Sequence, residues 1–188
     1  LESCRKITTP GVRLLVVDNG STDGSEAALR ARFPDLEILQ TGANLGFAGG
    51  NNVGIRHALG RGADFVLLLN NDTEVAPDFV DALVRAARAD AAVGMLVSKI
   101  YYFDSPDVLW YAGAYMNEWL GWGNHRGTGQ RDVGQFDAIE ETNRPTGCSL
   151  MVSRALCEKV GLLGEEYFCY CEDLDWGLRA RNAGFKVV

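Results

Sequence analysis

A short apolar run, Val66–Leu69, ends abruptly in Asn70, Asn71 and Asp72. Such a run predicts a buried central strand. In an open α/β sheet, ligands bind in the crevice beyond the carboxyl ends of the strands. Mg²⁺ suits a carboxylate there, because it takes one or two protein carboxylates and fills its other positions with water and substrate phosphates. The segment therefore indicates a metal-assisted enzyme acting on a phosphorylated or nucleotide-linked substrate, unless Asp72 merely satisfies turn amides.

A second acid, Asp18, directly follows the apolar strand predicted over 12–17. A carboxylate at a strand tip can accept hydrogen bonds from a nucleobase N–H or a ribose hydroxyl. The alternative is that Asp18, like Asp23 in the same loop, is a turn or capping residue. For Asp23 we prefer that alternative, and for Asp18 both remain open.

The third acidic site is the run Glu172-Asp173-Leu174-Asp175 at the predicted start of a helix. Acids are common there because the helix dipole stabilises negative charge at its N-terminus. The same field favours the ionised carboxylate that a general base requires. Capping and catalysis are both compatible with this pattern.

These acids need a scaffold, and the first half of the chain alternates predicted strands with predicted helices, which indicates an α/β fold with a mostly parallel sheet. The character of the sequence changes after Val97, so two halves, 1–97 and 98–188, are expected within one domain. The predicted strands are 12–17, 36–40, 65–69 and 149–152. The predicted helices are one capped by Ser25 and running to about residue 33, one from after Asn52 to about residue 59, and others over about 77–89, 154–160 and 172–182. The chain opens without a strand and stops as one begins, so we expect it to be truncated at both ends.

The composition argues against one class of function and indicates where the protein is located. The 188 residues carry a formal net charge of −7, which argues against non-specific nucleic-acid binding, because that needs a basic face. Five cysteines without a paired C-x-x-C set are expected to be reduced. With no signal peptide and no run of about 18 apolar residues, a cytoplasmic protein is expected.

The segment 101–122 is rich in tyrosine and tryptophan. Aromatic side chains of this kind fill cores or oligomer contacts, and they also stack on sugars or receive a lipid-linked acceptor. Neither histidine is predicted to be a site residue, since His57 is expected on a helix surface and His125 in a polar loop.

Four motifs occur in the order seen in the family 2 glycosyltransferases, and together they resemble that family over nearly the whole chain. The similarity is greatest to bacterial rhamnosyltransferase-like enzymes of cell-surface polysaccharide synthesis. The motifs are Asp18-Asn19-Gly20-Ser21-Thr22-Asp23, Asn44-Leu45-Gly46-Phe47-Ala48-Gly49-Gly50-Asn51-Asn52, Leu69-Asn70-Asn71-Asp72 and Glu172-Asp173-Leu174-Asp175-Trp176.

The resemblance implies a GT-A fold, a Rossmann-like sheet flanked by helices. It also implies inverting transfer of a sugar from a nucleoside-diphosphate donor to a hydroxyl of a glycan or lipid-linked acceptor. Such an acceptor is compatible with peripheral association at the inner face of the membrane. Asn70 stands where many members have an acid, so the metal depends more on Asp72. In these terms, 1–97 is the nucleotide-sugar-binding half, and 98–188 is the acceptor-side half that carries the catalytic base. The family's first strand is absent before Leu1, so weak or no activity of this fragment would not contradict the assignment.

The resemblance also implies roles for individual residues. Asp72 would hold Mg²⁺ or Mn²⁺, and Asp173, with Glu172 beside it, would supply the catalytic base. The residues implied to contact the nucleotide sugar are Asp18, Asn19, Gly49, Asn51, Asn52 and Asn71. Two alternatives remain, a sugar-phosphate nucleotidyltransferase and a non-catalytic nucleotide-sugar or glycan-binding domain.

Overall fold

The computed structural model describes residues 1–117 and 119–188. The strands, in chain order, are β1 Leu15–Asp18, β2 Glu37–Gln40, β3 Phe65–Leu69, β4 Val93–Val97, β5 Ile100–Tyr102, β6 Ser105–Tyr111, β7 Ala114–Asn117, β8 Trp122–His125, β9 Ser149–Ser153 and β10 Lys186–Val187. The helices are α1 Ser25–Arg32, α2 Gly46–Gly60, α3 Phe79–Ala89, α4 Arg154–Val160 and α5 Glu172–Asn182, with a short 3₁₀ turn at Cys4–Lys6.

The central sheet has the order β10-β4-β9-β3. Strand β9 runs antiparallel to both of its neighbours, whereas β10 is parallel to β4. Strands β1 and β2 form a separate parallel pair. The prediction of an α/β fold is confirmed, and the central sheet is mixed rather than mostly parallel.

Helices cover both faces of the central sheet. Ile55 of α2 and Trp176 of α5 pack on one face against Leu150, and all three are completely buried. Leu83 of α3 packs on the other face against Met151. Because β9 is covered on both sides, its residues form a continuous apolar run, as expected of a strand at the centre of a layered fold.

The close packing of α2 onto β1 depends on glycine. A Cβ atom at Gly54 would lie 3.0 Å from Val17 in β1, and one at Gly50 would lie 3.0 Å from the amide of Asn19. Larger residues at these positions would push the helix off the strand, so this glycine spacing sets the distance between α2 and the loop that follows β1.

Segment 98–148 leaves the central sheet and returns to it. It contains two hairpins, β5–β6 and β7–β8, which account for the aromatic stretch. A helix long and apolar enough to cross a membrane is not found among the described residues.

Three local predictions need correction. Helix α2 begins at Gly46, so it includes the glycine-rich stretch that was expected to precede it. The first strand begins at Leu15 rather than Val12, and it includes Asp18 as its last residue. Ser25 is the first residue of α1, not its cap, because Gly24 precedes the helix with φ of 87°. Asp23 performs the capping, since its Oδ1 accepts hydrogen bonds from both the N–H and the hydroxyl of Ser25.

Candidate active site

Asp72 lies in the turn that directly follows β3. The hydroxyl of Thr73 donates to the carbonyl of Asn70 at 2.8 Å and so closes this turn. The side chain of Asp72 is exposed beside Asn71, which is also exposed. The turn contact is therefore made by Thr73, and the carboxylate of Asp72 faces solvent.

The turn carrying Asp72 lies beside the segment that leads into β9. Leu69 is paired with Ser149 across the two antiparallel strands. One position further, the N–H of Asn70 donates to the carbonyl of Cys148 at 3.0 Å. Burial, with a contribution from the negative charge of Asp72, raises the pKa of the Cys148 thiol. The strand pairing thus brings Asp72 close to residue 148.

Asp173 meets the same segment from the other side. It is the second residue of α5, and its Oδ2 accepts the N–H of Gly147 at 2.9 Å. Its Oδ1 accepts the N–H of Leu174 at 2.8 Å. Two main-chain donors therefore fix the orientation of this half-buried carboxylate, and the two predicted acids flank residues 147 and 148.

Glu172 faces away from this opening. Its side chain is 5% exposed and lies on the same helix face as the core residue Trp176. Burial raises the pKa of Glu172, and the nearby charge of Asp173 adds to the effect. Its Oε2 atom has no hydrogen-bond partner among the described residues.

Asp18 is buried at the tip of β1. Its Oδ1 accepts the N–H of Ser21 at 2.9 Å, and its Oδ2 accepts Nε2 of Gln40 at 2.9 Å. The hydrogen bonds to Ser21 lower the pKa of Asp18. This acid shapes the loop after β1 while remaining at the edge where a ligand is expected.

The asparagines of the second motif mostly bond within the protein. Asn52 is 1% exposed, and its amide bonds to both the N–H and the carbonyl of Leu163, and to Glu165. The Asn51 amide donates to the carbonyl of Phe47. The structure thus uses Asn52 to tie α2 to the loop before α5, a role that a sequence motif does not reveal.

Asn19 and Gly49 hold the start of α2. The side chain of Asn19 accepts the N–H of Leu45 at 3.0 Å and donates to the carbonyl of Gly46 at 2.9 Å. Gly49 is buried in the first turns of α2, where a Cβ atom would lie 2.8 Å from the Leu45 side chain. Both residues stabilise the loop that faces the site.

A cavity of about 330 Å³ opens beside Asp72. Its lining combines polar and apolar side chains: Leu1, Glu2, Ser3, Asn71, Asp72, Thr73, Glu74 and Phe103. A volume of this order is at the small end of ligand pockets.

Both the sequence and the structure of this chain were compared with those of known proteins. The sequence model named Glycosyl transferase family 2 matches residues 1–161. The chain belongs to this family. Its fold is the GT-A fold, since a mannosyltransferase of Pyrobaculum calidifontis, solved with GDP-Man and Mn²⁺, superposes with a TM-score of 0.69 at 18% identity. That comparison covers 100% of this chain and 48% of the mannosyltransferase.

Two relatives are more similar to this family 2 chain in sequence. An N-acetylglucosaminyl-diphospho-decaprenol L-rhamnosyltransferase of Mycobacterium tuberculosis is 33% identical, with 100% of this chain and 67% of the relative covered. A low-salt glycan biosynthesis hexosyltransferase of Haloferax volcanii is 30% identical, with 92% and 54% covered. The chain therefore spans between about half and two thirds of the length of the proteins it matches.

The residues around Asp72 can be tested against the divalent cation implied for a family 2 enzyme. The described residues contain no group of three or more His, Cys, Asp and Glu side chains that could enclose a metal. One exposed carboxylate with neighbouring amides instead suits Mg²⁺ or Mn²⁺ that is held largely by substrate phosphates and water. The side chains present fit that mode of binding.

Several residues near the site were missed by sequence reasoning. Gly147 orients Asp173 through its main chain, which no side-chain pattern could indicate. His125 was expected in a polar loop, but it is the last residue of β8, and its ring contacts the rings of Trp110 and Tyr111.

Proposed function

We propose that this chain carries the catalytic centre of an inverting glycosyltransferase. It would transfer a sugar from a nucleoside-diphosphate donor to a hydroxyl of a glycan or lipid-linked acceptor. The observation that supports this most strongly is the convergence of Asp72 and Asp173 on residues 147 and 148. The alternative of a non-catalytic binding domain gives no reason for an oriented carboxylate opposite the donor side.

The donor side of the proposed centre is the turn after β3. Asp72 would hold Mg²⁺ or Mn²⁺ with help from the amides of Asn70 and Asn71. When bound, the cation would neutralise the charge that develops on the nucleoside-diphosphate leaving group. Asp18, at the tip of β1, would contact the nucleotide, with Asn19, Gly49 and Asn51 shaping the loop around it.

The acceptor side is the start of α5. A carboxylate oxygen of Asp173 would take the proton of the acceptor hydroxyl as the new glycosidic bond forms. The N–H groups of Gly147 and Leu174 hold that carboxylate in one orientation before the substrate arrives. A single direct displacement inverts the anomeric configuration and requires no covalent intermediate on the protein.

The names of the relatives suggest the class of substrate. We propose a hexose or rhamnose as the transferred sugar and a sugar diphosphate linked to a lipid as the acceptor, in the synthesis of a bacterial cell-surface polysaccharide. This suggestion rests on the 33% identity to the mycobacterial N-acetylglucosaminyl-diphospho-decaprenol L-rhamnosyltransferase.

A lipid-linked acceptor would bring the protein to a membrane, and we propose the cytoplasmic face. The turn of the β7–β8 hairpin supports this, because Trp119, Leu120 and Trp122 are 97%, 75% and 65% exposed. Tryptophan is favoured at membrane–water interfaces. Neutral phosphatidylcholine vesicles should co-sediment with the protein. Trp119→Ser with Trp122→Ser should abolish this, whereas the equally exposed Val133→Ser should not.

Calorimetry with UDP, dTDP and GDP, with and without Mn²⁺, tests the donor side, ideally on the full-length protein. One diphosphate should bind more tightly with Mn²⁺, and Asp72→Ala should remove the gain while Glu74→Gln keeps it. A diphosphate affinity that is the same with and without Mn²⁺ would refute the role of Asp72.

The acceptor side needs a transfer assay with dTDP-rhamnose and a short-chain lipid diphosphate carrying N-acetylglucosamine. Asp173→Asn should retain diphosphate binding and lose transfer, while Asp175→Asn should retain both. Persistent transfer in Asp173→Asn would refute the base, and diphosphate binding without transfer in the wild type would favour the binding-domain alternative.

A further inference from the structure

Trp110 and His125 form an aromatic corner at the inner end of the β7–β8 hairpin. The two ring centroids are 4.9 Å apart with an interplanar angle of 75°. The His125 ring also meets Tyr111 edge-on at 5.0 Å. Tyr111 is completely buried, whereas Trp110 and His125 are half-buried and so keep part of their rings accessible.

The corner is connected to the proposed base through residues 142–147. The hydroxyl of Tyr111 donates to the carbonyl of Arg144 at 2.9 Å. Nη1 of Arg144 donates to the carbonyl of Gly123 in β8 at 3.0 Å. Three residues after Arg144, the N–H of Gly147 orients Asp173. The hairpin and the base are therefore fixed to one short stretch of chain.

The charge of Asp173 acts on two rings of the aromatic corner. The negative charge of Asp173 contributes to the pKa of both Tyr111 and His125. Burial, followed by the positive charge of Arg144, outweighs Asp173 and lowers the pKa of His125. One ring N–H of His125 donates to the main chain of Trp110. In the neutral imidazole the other nitrogen is an acceptor, which matches the O–H of a sugar.

We propose that Trp110 and His125 are the binding site for the acceptor sugar. A pyranose ring would pack its apolar C–H face on the indole of Trp110 and hydrogen-bond one hydroxyl to the imidazole of His125, which presents a neighbouring hydroxyl to Asp173. Neither residue belongs to the four motifs of the sequence. This assignment rests on the proposed function, because it requires Asp173 to be the base.

The proposal predicts an effect on the acceptor and not on the donor. His125→Ala should raise the KM for the N-acetylglucosamine diphosphate lipid about tenfold, the value of one hydrogen bond, and leave the KM for dTDP-rhamnose unchanged. His125→Gln, which keeps a donor and an acceptor, should restore part of the loss. Trp110→Ala should raise the same KM at least tenfold, and Trp110→Phe much less.

His57→Gln is the matched control, because His57 is the only other histidine of the chain and pairs with Glu37 at 2.8 Å. It should leave both KM values unchanged. The conservative variants His125→Gln and Trp110→Phe keep the test valid if the alanine variants fold poorly.

The possible results distinguish a failure of the proposed function from a failure of the acceptor-sugar site. A full-length wild-type protein that neither binds a nucleoside diphosphate nor transfers sugar refutes the proposed function and this site with it. A wild-type protein that transfers sugar, with acceptor KM values within twofold in all four variants, refutes the acceptor site alone. A rise in donor KM equal to the rise in acceptor KM would indicate general distortion and also refute it.

Discussion

The main-chain N–H of Gly147 donates to Oδ2 of Asp173 at 2.9 Å, and the ring of Phe47 packs on the same glycine. A Cβ atom at position 147 would lie 2.9 Å from Cζ of Phe47. An added Cβ therefore requires a shift of either the Phe47 ring or the main chain of residue 147, whose N–H orients the proposed base.

Gly147→Ala should therefore lower kcat at least tenfold, which corresponds to about 1.4 kcal/mol of transition-state stabilisation. Binding of the nucleoside diphosphate, measured by calorimetry, should change little because Asp72 is untouched. Gly60→Ala is the control, since it lies in α2 with no atom within 4 Å of the added Cβ, and full activity in Gly147→Ala would contradict the role of this contact.

The wild-type Glu172 should lower the stability of the folded protein at neutral pH and support sugar transfer. Burial raises its pKa, so the folded state disfavours the ionised form, and stability declines as the pH rises above the ordinary value of 4.5. Glu172→Gln should therefore unfold at higher denaturant concentration than the wild type at pH 7, with the difference shrinking toward pH 4. Transfer should fall at least tenfold, because Glu172 is proposed to support the base Asp173. The exposed Glu166→Gln should change neither quantity, and a destabilised Glu172→Gln would contradict the argument.

Asn52 should contribute to the free energy of unfolding and not to the affinity for the nucleoside diphosphate. Its buried amide bonds to Leu163 and Glu165, and removing one partner of buried hydrogen bonds costs about 1–3 kcal/mol. Asn52→Ala should lower the free energy of unfolding by that amount in urea titrations and leave the Kd for the diphosphate unchanged at temperatures where it stays folded. Asn51→Ala, which loses one bond to Phe47, should cost less. A large loss of affinity in a folded Asn52→Ala would restore the motif's implied donor contact.

The loop at 132–137 should open in acid. Lys99 donates to Asp132 at 2.8 Å and to Asp137 at 2.6 Å, and Tyr101 also donates to Asp132. The hydrogen bond from Lys99 is the main cause that lowers the pKa of Asp132 to about 2.

Because that pKa is depressed, the stabilisation is complete above the ordinary value of 3.8 and is lost as the pH falls toward 2. Asp132→Asn should be less stable than the wild type at pH 6, and the two should converge between about pH 4 and 2. Asp137→Asn should show a smaller version of this difference, and parallel pH profiles for Asp132→Asn and the wild type would contradict the assignment.

Local signals in the sequence predicted much of the scaffold. The abrupt change from Leu69 to Asn70 marks the end of β3, and the predicted bounds of α4 and α5 agree with those observed. The order of the motifs identified the family because each motif is a contiguous string of residues.

The direction of β9 could not be predicted, because an apolar run such as 149–152 is the same whether a strand is parallel or antiparallel. The buried bonds of Asn52 to Leu163, 111 residues away, left no local pattern either. The contact of Gly147 with Asp173 involves a main-chain donor that every residue except proline has. The roles assigned to individual site residues remain predictions.

Strand β9 enters the sheet at the point where β3 leaves it. Between them, α3 and β4 belong to the central layers, and segment 98–148 forms an excursion whose two ends lie side by side, because Val97 of β4 pairs with Leu150 of β9. Such an excursion can lengthen, shorten or be exchanged without altering the spacing of the two acids at its root. A related protein could therefore carry a different segment 98–148, and with it a different proposed acceptor site, while Asp72 and Asp173 keep their spacing.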